Sequence, residues 1–492
     1  MGDVHVRVAV VGAGFAGLGM AVRLAQEGID DFLVFERGDD VGGTWRDNTY
    51  PGCSCDVPSN LYSFSFAPNP DWSSSFGQQP EIHRYLTDCV DRFGLQPHLR
   101  LRHDMLDARW DDTAGRWVLE TSRGTVTATV LVCGTGSLSE PSIPAVPGLA
   151  DFEGAAFHSA RWDHSLDLCG ARVAVIGTGA SAVQFVPEIA PDVAALHLFQ
   201  RTPPWIMPRV DHTRRPLENR LFRAFPAVQR WLRAASYWGR ESTLVALTRP
   251  RLMRVAEVLA RVHLRRQVGD PELRAALTPD YTLGCKRVIV SSAFYPALQR
   301  PNVELVASPL REVRARSVVA ADGTERDVDT IVFGTGFRAA DPAVARRLHG
   351  RGGRRLASEW AGGAQAYLGT AVAGFPNLFL LVGPNSGPGH NSTLLTIESQ
   401  VGYVLDALRV MAERDLATVE VRPQAQSAFV ADVQQRMAGM VWTTGGCTSW
   451  YLDCSGRNTT LWPGSIRRFR RLTRRFDPES YVLRPALLEA GA

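Results

Sequence analysis

Uninterrupted apolar runs alternate along this chain with stretches whose apolar positions recur at helical spacing, the order expected of parallel strands covered by helices. Residues 6–28, VRVAVVGAGFAGLGMAVRLAQEG, pass from a run of β-branched residues through Gly12-x-Gly14-x-x-Gly17 into a helical pattern. FLVFERG, residues 32–38, follows as a second strand ending at Glu36. The sequence then repeats itself. Residues 171–190, ARVAVIGTGASAVQFVPEIA, carry Gly177-x-Gly179-x-x-Ala182, and ALHLFQRTP supplies the strand after it, ending in Gln200-Arg201-Thr202. Two further runs, VLVCGTG at 130–136 and TIVFGTGF at 330–337, share a strand-to-Gly-Thr-Gly shape, and the first leads into a proline-rich crossover.

Glycines at these spacings let backbone N–H groups at a helix N-terminus meet a pyrophosphate, and the residue closing the second strand selects the ribose. Glu36 suits the unphosphorylated adenosine ribose of FAD. Arg201 suits the extra phosphate of NADPH, which a guanidinium can hydrogen-bond through two donors. The pattern predicts an α/β fold with two Rossmann-like dinucleotide-binding domains, for FAD and NADPH. The FAD domain is expected over 1–140 and again over 331–492 with a C-terminal segment. The NADPH domain is expected over 152–330, with a helical insert at about 210–275. Residues 382–411, VGPNSGPGHNSTLLTIESQVGYVLDALRVM, offer a helix whose N-terminus either faces the flavin or is simply capped.

Residues 209–266 hold fourteen arginines against four acids, with apolar residues at helical spacing. The expectation is that the apolar stripe packs on the domain while the arginines are solvated, so membrane-surface contact is not expected. A formal charge of +4 over 492 residues gives no reason to expect nucleic acid as a partner. No apolar run approaches the ~18 residues that a membrane span requires. The chain enters its first strand directly, without a secretory pattern, so a cytoplasmic location is expected. The eight cysteines (53, 55, 89, 133, 169, 285, 447 and 454) are scattered, which fits neither a disulfide framework nor a zinc site; they are expected to be reduced thiols, with no metal.

Three longer motifs carry a resemblance. FEGAAFHSARWD places Phe152, Gly154, His158 and Trp162 in a Phe-x-Gly-x-x-x-His-x-x-x-Trp pattern. GTWRDNTYPGCSCD sets Gly43, Thr44, Trp45, Tyr50, Pro51, Gly52 and Asp56 in order. YTLGCKRVIVSS contains Lys286, the one lysine in the chain, followed by Arg287. Together these resemble the type I Baeyer-Villiger monooxygenases of the class B flavoprotein monooxygenases, and SWYLDCSGRNTTLWPGS resembles the hydroxyacetophenone monooxygenase-like subgroup. The resemblance implies an enzyme that uses NADPH, FAD and O2 to convert a small-molecule ketone into an ester or lactone through a C4a-peroxyflavin. It implies Arg287 as the catalytic cation, held by Asp56. Lys286 is placed at the NADPH phosphate, and Gly43, Thr44, Trp45 and Tyr62 among the flavin-binding residues. Trp450 and Asn458 become candidates to contact nicotinamide, and His158 with Trp162 a joint that senses NADPH. Amine- and sulfide-oxygenating flavin monooxygenases share the frame but usually carry Tyr or Phe at the position of Trp162. A disulfide reductase needs a paired thiol, for which Cys53-x-Cys55 is too tightly spaced.

Overall fold

The computed structural model describes residues 4–453 and 455–486. Its centre is a sheet in which Val4–Val11 lies parallel to Phe32–Phe35 on one side and to Gly124–Cys133 on the other. Because helices and loops cover both faces, the side-chain alternation of a strand divides one apolar run between two cores. Val8 and Val10 join Phe32, Val34, Val130 and Val132 on one face, while Ala9 and Val11 join Leu33, Phe35, Leu131 and Cys133 on the other. The antiparallel strands Arg116–Thr121 and Met105–Asp111 extend the sheet, and Leu348–His349 forms its edge. Leu378–Leu380 pairs with the far end of Gly124–Cys133. The helices Phe15–Gln26 and Thr393–Glu413 pack on each other, and the Ser392 hydroxyl caps the second by accepting from the Leu394 N–H.

A second sheet is wholly parallel, in the order Val303–Val306, Ala195–Phe199, Arg172–Ile176, Thr330–Phe333, Ala155–His158. This corrects the sequence expectation that Thr330–Phe337 opens the return to the first domain. The strand Thr330–Phe333 is internal to the second sheet, with Val173 opposite Thr330, and the chain rejoins the first sheet only at Leu348–His349. The two Gly-Thr-Gly runs are equivalent parts of the two sheets. A Cβ on Gly12 would lie 2.7 Å from the Gly134 carbonyl oxygen, and one on Gly177 would lie 2.7 Å from that of Gly334. A buried central strand reads the same whichever sheet receives it, so its sequence could not decide the partner.

The insert consists mainly of three helices, Pro216–Ala224, Pro226–Leu247 and Pro250–Gln267, each opening with proline, which the first turn tolerates because its N–H is unpaired there. Its orientation follows the expectation in part: Leu247, Met253, Ala260 and Leu264 pack into the cores and most of its arginines are exposed, but three arginines turn inward. Arg233 turns inward and donates through Nη1 to the carbonyls of Asn60, Leu61 and Ser63, at 3.0, 3.2 and 2.8 Å. Arg240 donates to the Asp56 carbonyl at 2.6 Å, and Arg214 to the Asn60 side chain at 2.9 Å. The strand Ser54–Pro58 is irregularly paired and residues 59–63 leave it, and a guanidinium fork can satisfy several carbonyls that would otherwise be buried alone. Buried Glu241 completes the clamp: it accepts from the Ile466 N–H at 2.8 Å and Asn391 Nδ2 at 3.0 Å, with His390 Nε2 at 3.2 Å. The insert is therefore docked by polar contacts as well as by its buried apolar residues, while Trp231 and Trp238 face outward.

A second correction concerns the cysteines. Cys285 and Cys447 form a disulfide across 162 residues, tying the loop of Lys286 and Arg287 to the chain just before Trp450. Long-range proximity leaves no spacing signature, so cysteine counting missed it. Cys53, Cys55, Cys89, Cys133 and Cys169 are free; Cys454 lies outside the described residues. Among the described residues no helix is long and apolar enough to cross a membrane.

Candidate active site

At the first glycine turn Gly12 has φ of +98°, and a side chain on Gly17 would run into the Gly12 carbonyl, so the helix closes tightly on the strand. Gly14 begins the helix Phe15–Gln26 without a side-chain cap, leaving first-turn N–H groups directed outward. Gly43, at φ of +53°, brings its backbone against Gly14: a Cβ there would be 3.1 Å from the Gly14 Cα. It precedes the short helix Thr44–Asp47, in which Trp45 donates from Nε1 to the Tyr62 hydroxyl at 3.0 Å. Glu36 is buried. It accepts from the N–H groups of Ala13 and Gly38 at 2.9 and 2.8 Å, and from Arg46 Nη1 at 2.7 Å. Besides closing the second strand, the carboxylate thus braces the turn, a task the motif alone did not reveal.

The second turn repeats this geometry at Gly177, with φ of +103°, and Gly179, again an uncapped helix start. Ala182 packs its methyl where a Cβ on Gly334 would come within 3.2 Å. The Thr178 hydroxyl donates to the Thr202 carbonyl at 3.3 Å, fastening the turn to the end of the next strand. Gln200 points elsewhere, to the Ala276 carbonyl, whereas Arg201 is exposed beside the turn. Lys286 arrives from a different part of the chain, its Nζ 4.9 Å from the Tyr281 ring centroid. Burial, and then the charge of Arg201, hold its ammonium below the ordinary lysine value. The two cations are therefore near enough for one charge to act on the other, an arrangement that a bound anion relieves.

Segment 50–56 joins the two units. Gln184, on the helix Ala180–Ile189, accepts from the Tyr50 hydroxyl at 2.9 Å and donates to the Ser54 carbonyl at 2.9 Å. Gly52, at φ of +74°, lets that helix approach: a Cβ would be 2.9 Å from Glu188 Cγ and 3.0 Å from the Gln184 carbonyl oxygen. At the end of this segment Asp56 receives Arg287 in a two-point pair, Nε and Nη2 each 2.7 Å from a carboxylate oxygen. Burial alone would raise the Asp56 carboxyl, but Arg287 overcomes it and holds the group below its ordinary value. In return Asp56 raises Arg287, so its charge is permanent. The Arg287 side chain remains 46% accessible, and among the described residues its Nη1 has no protein partner. Buried Tyr451 lies close enough for Arg287 to act on its hydroxyl, although burial dominates and pushes that group up to about 12. Cys53 and Cys55 are buried near Asp56, and burial pushes the Cys53 thiol up to about 12, the reverse of a redox-active thiol.

The fingerprint residues lie in and around an edge strand of the second sheet. Gly154 admits the Asp329 carbonyl where a Cβ would stand. Phe152 packs on the core beneath, and Trp162 lies 5.3 Å from Phe157 and 5.2 Å from Phe185, ring to ring. His158 is buried at the strand end, where its Nδ1 accepts from the Ala160 N–H at 3.1 Å and its ring meets Phe337. Burial holds its imidazole below the ordinary histidine value, favouring the neutral form. Trp450 is exposed, its ring tilted against that of Tyr451 with centroids 4.5 Å apart. Asn458 is buried and structural in its contacts, accepting from the Thr460 and Leu461 N–H groups. Sequence reasoning missed Gln184, Arg240 and Tyr451; for Tyr451 the only signal was its place beside Trp450.

With this geometry in hand, comparison with known proteins is direct. The family model for flavin-binding monooxygenase-like proteins matches residues 5–237. A Streptomyces coelicolor protein named Baeyer-Villiger monooxygenase is 54% identical, covering 99% of this chain and 95% of that one. A Pseudomonas aeruginosa protein of the same name is 50% identical, over 99% and 93%. The chain belongs to the Baeyer-Villiger monooxygenase family. Among solved structures, the OTEMO complex with FAD and NADP superposes with a TM-score of 0.89 at 27% identity, covering 97% of this chain and 99% of that one. Steroid monooxygenase bound to NADP superposes at 0.86 with 32% identity, over 98% and 100%. The residues present fit two such nucleotides: two side-chain-free glycine cradles, two uncapped helix starts and, by the second, the cations Lys286 and Arg201.

Proposed function

We propose that Arg287, clamped by Asp56, is the group through which this Baeyer-Villiger monooxygenase favours attack on a small-molecule ketone. The observation that carries the reading is the two-point pair itself, which fixes two guanidinium nitrogens and leaves Nη1 directed away from the carboxylate. The chemistry supplied by the bound cofactors is reduction of FAD by NADPH and activation of dioxygen on the reduced ring. Arg287 offers a fixed positive charge to oxygen as negative charge develops in attack on the carbonyl, an interaction strongest where water is excluded. Asp56 keeps the guanidinium from rotating, and Arg240 secures Asp56 through its carbonyl.

The remaining roles follow from position. The turn Gly12, Gly14 and Gly17, with Glu36, Gly43, Thr44, Trp45 and Tyr62, holds FAD. Gly177, Gly179, Ala182, Arg201, Thr202 and Lys286 hold NADPH, the two cations meeting its extra phosphate. Phe152, Gly154, His158 and Trp162 fix the edge strand that borders this second site, and Trp450 closes over it. Incubation of the holoenzyme with NADPH, a panel of ketones and isotopically heavy dioxygen tests the reading. Esters or lactones carrying one heavy oxygen, formed in step with NADPH consumption, are expected. Hydrogen peroxide as the sole oxygen product with every ketone would reject it.

A further inference from the structure

The insert buries one set of apolar residues in the cores, yet a second set on the same helices faces outward. In its first helix Leu217 and Leu221, with Phe225 just beyond, are four residues apart and exposed; in the second, Trp231, Trp238 and Val245 are spaced by seven. Each spacing returns to one face of a helix. The third helix adds Leu252, Val255 and Leu259, again one face. Exposure is high where burial is normally greatest: 60% for Phe225, 68% for Trp231, 56% for Trp238 and 67% for Val255. So many exposed apolar residues on three successive, mutually packed helices point to a docking site rather than to scattered surface residues.

Charge decides what docks. Nine arginines between residues 219 and 267 are exposed, whereas the two carboxylates of that span, Glu241 and Glu257, are buried. Among the described residues only Arg223, on Asp71, and Arg261, on Glu257, form ion pairs from this exposed set. A second copy meeting this face through a twofold axis would set nine arginines against nine with few carboxylates to offset them, since Glu218 is held by His212 and Asp71 by Arg223. A bilayer of anionic lipid matches both features: indole and aliphatic groups enter the headgroup boundary, and arginines reach phosphates while their stems lie along the apolar surface.

We propose that the outer face of the insert is a peripheral membrane-binding surface selective for anionic lipid, with Trp231 and Trp238 as its anchors. The enzyme lies on the bilayer and does not cross it. The test is co-sedimentation of the FAD-loaded full chain with vesicles of phosphatidylcholine alone or mixed equally with phosphatidylglycerol, at low and high salt. Binding to the mixed vesicles, weakened by salt, is expected, with little binding to phosphatidylcholine alone. Trp231→Ser combined with Trp238→Ser lowers the partition at least about tenfold, or ~1.4 kcal/mol, while turnover of a water-soluble ketone stays unchanged. Arg230→Gln with Arg254→Gln erases most of the preference for phosphatidylglycerol. Absence of vesicle binding, or equal binding by the double tryptophan variant, overturns the proposal. So does sedimentation velocity showing a wild-type dimer that the tryptophan variant dissociates, since the face would then be a self-interface.

Discussion

Lys286 and Arg201 provide the sharpest test of how the second nucleotide is selected. They approach from separate parts of the chain, and the charge of one depresses the other. Under the proposed assignment, replacing either with a neutral residue removes one charge-assisted contact to the NADP phosphate, worth about 1.5–3 kcal/mol. Arg201 is exposed and screened, so Arg201→Gln sits at the lower end, roughly tenfold in Kd. Lys286 is partly buried against Tyr281, so Lys286→Met falls toward ~100-fold. Because both contacts meet one phosphate, the double variant loses less than the sum. Titration calorimetry of FAD-loaded enzyme with NADP+ and NAD+ reads this directly, and NAD+ affinity should change little. The pH dependence has a definite sign. With its free-state pKa held below the ordinary 10.5, Lys286 must take up a proton to bind phosphate at alkaline pH. NADP+ affinity therefore falls as pH rises through that depressed value, and Lys286→Met removes the effect. Equal losses for NADP+ and NAD+ would refute the phosphate assignment.

Other expectations concern the joints of the fold. Thiol titration of the denatured chain should find two more thiols after reduction than before; an unchanged number would return Cys285 and Cys447 to the free state. Cys285→Ser with Cys447→Ser should lower the melting temperature, with ~5 kcal/mol as the loop-entropy scale for so long a span. Burial alone would raise Glu241, but His390, Asn391 and the Ile466 N–H outweigh it, so its folded pKa lies below the ordinary 4.5. Its stabilisation is present above that value and lost as pH falls through the depressed one. Thermal melts stepped into acid should show a loss for the wild type that Glu241→Gln flattens.

Local chemistry was legible in the sequence and spatial partnership was not. The glycine turns could be read because a positive φ and a close carbonyl are demands on one or two residues, and Gly12 and Gly177 carry them plainly. Periodicity showed which insert residues share a helix face, but not every residue that turns inward. The expected inward apolar stripe is present in Leu247, Met253 and Leu264, but nothing in the pattern marked Arg233 and Arg240, which also turn inward to serve carbonyls of a distant segment. Thr330–Phe333 had the right shape and the wrong sheet, because strand pairing depends on topology rather than composition. Gln184 gave no signal within its helix, since its meaning lies in Tyr50 and Ser54, some 130 residues earlier. The resemblance supplied the pair of Asp56 and Arg287, two residues separated by 231 positions that no short-range pattern would connect.

The most direct test of that pair is the yield of oxygenated product per NADPH oxidised, measured for Arg287→Ala against wild type with a ketone that the wild type converts. The protein should remain yellow with FAD and still oxidise NADPH, but nearly all the reducing power should appear as hydrogen peroxide and almost none as ester or lactone. An Arg287→Ala enzyme that converts the ketone at the wild-type rate and yield would contradict the role given to the guanidinium.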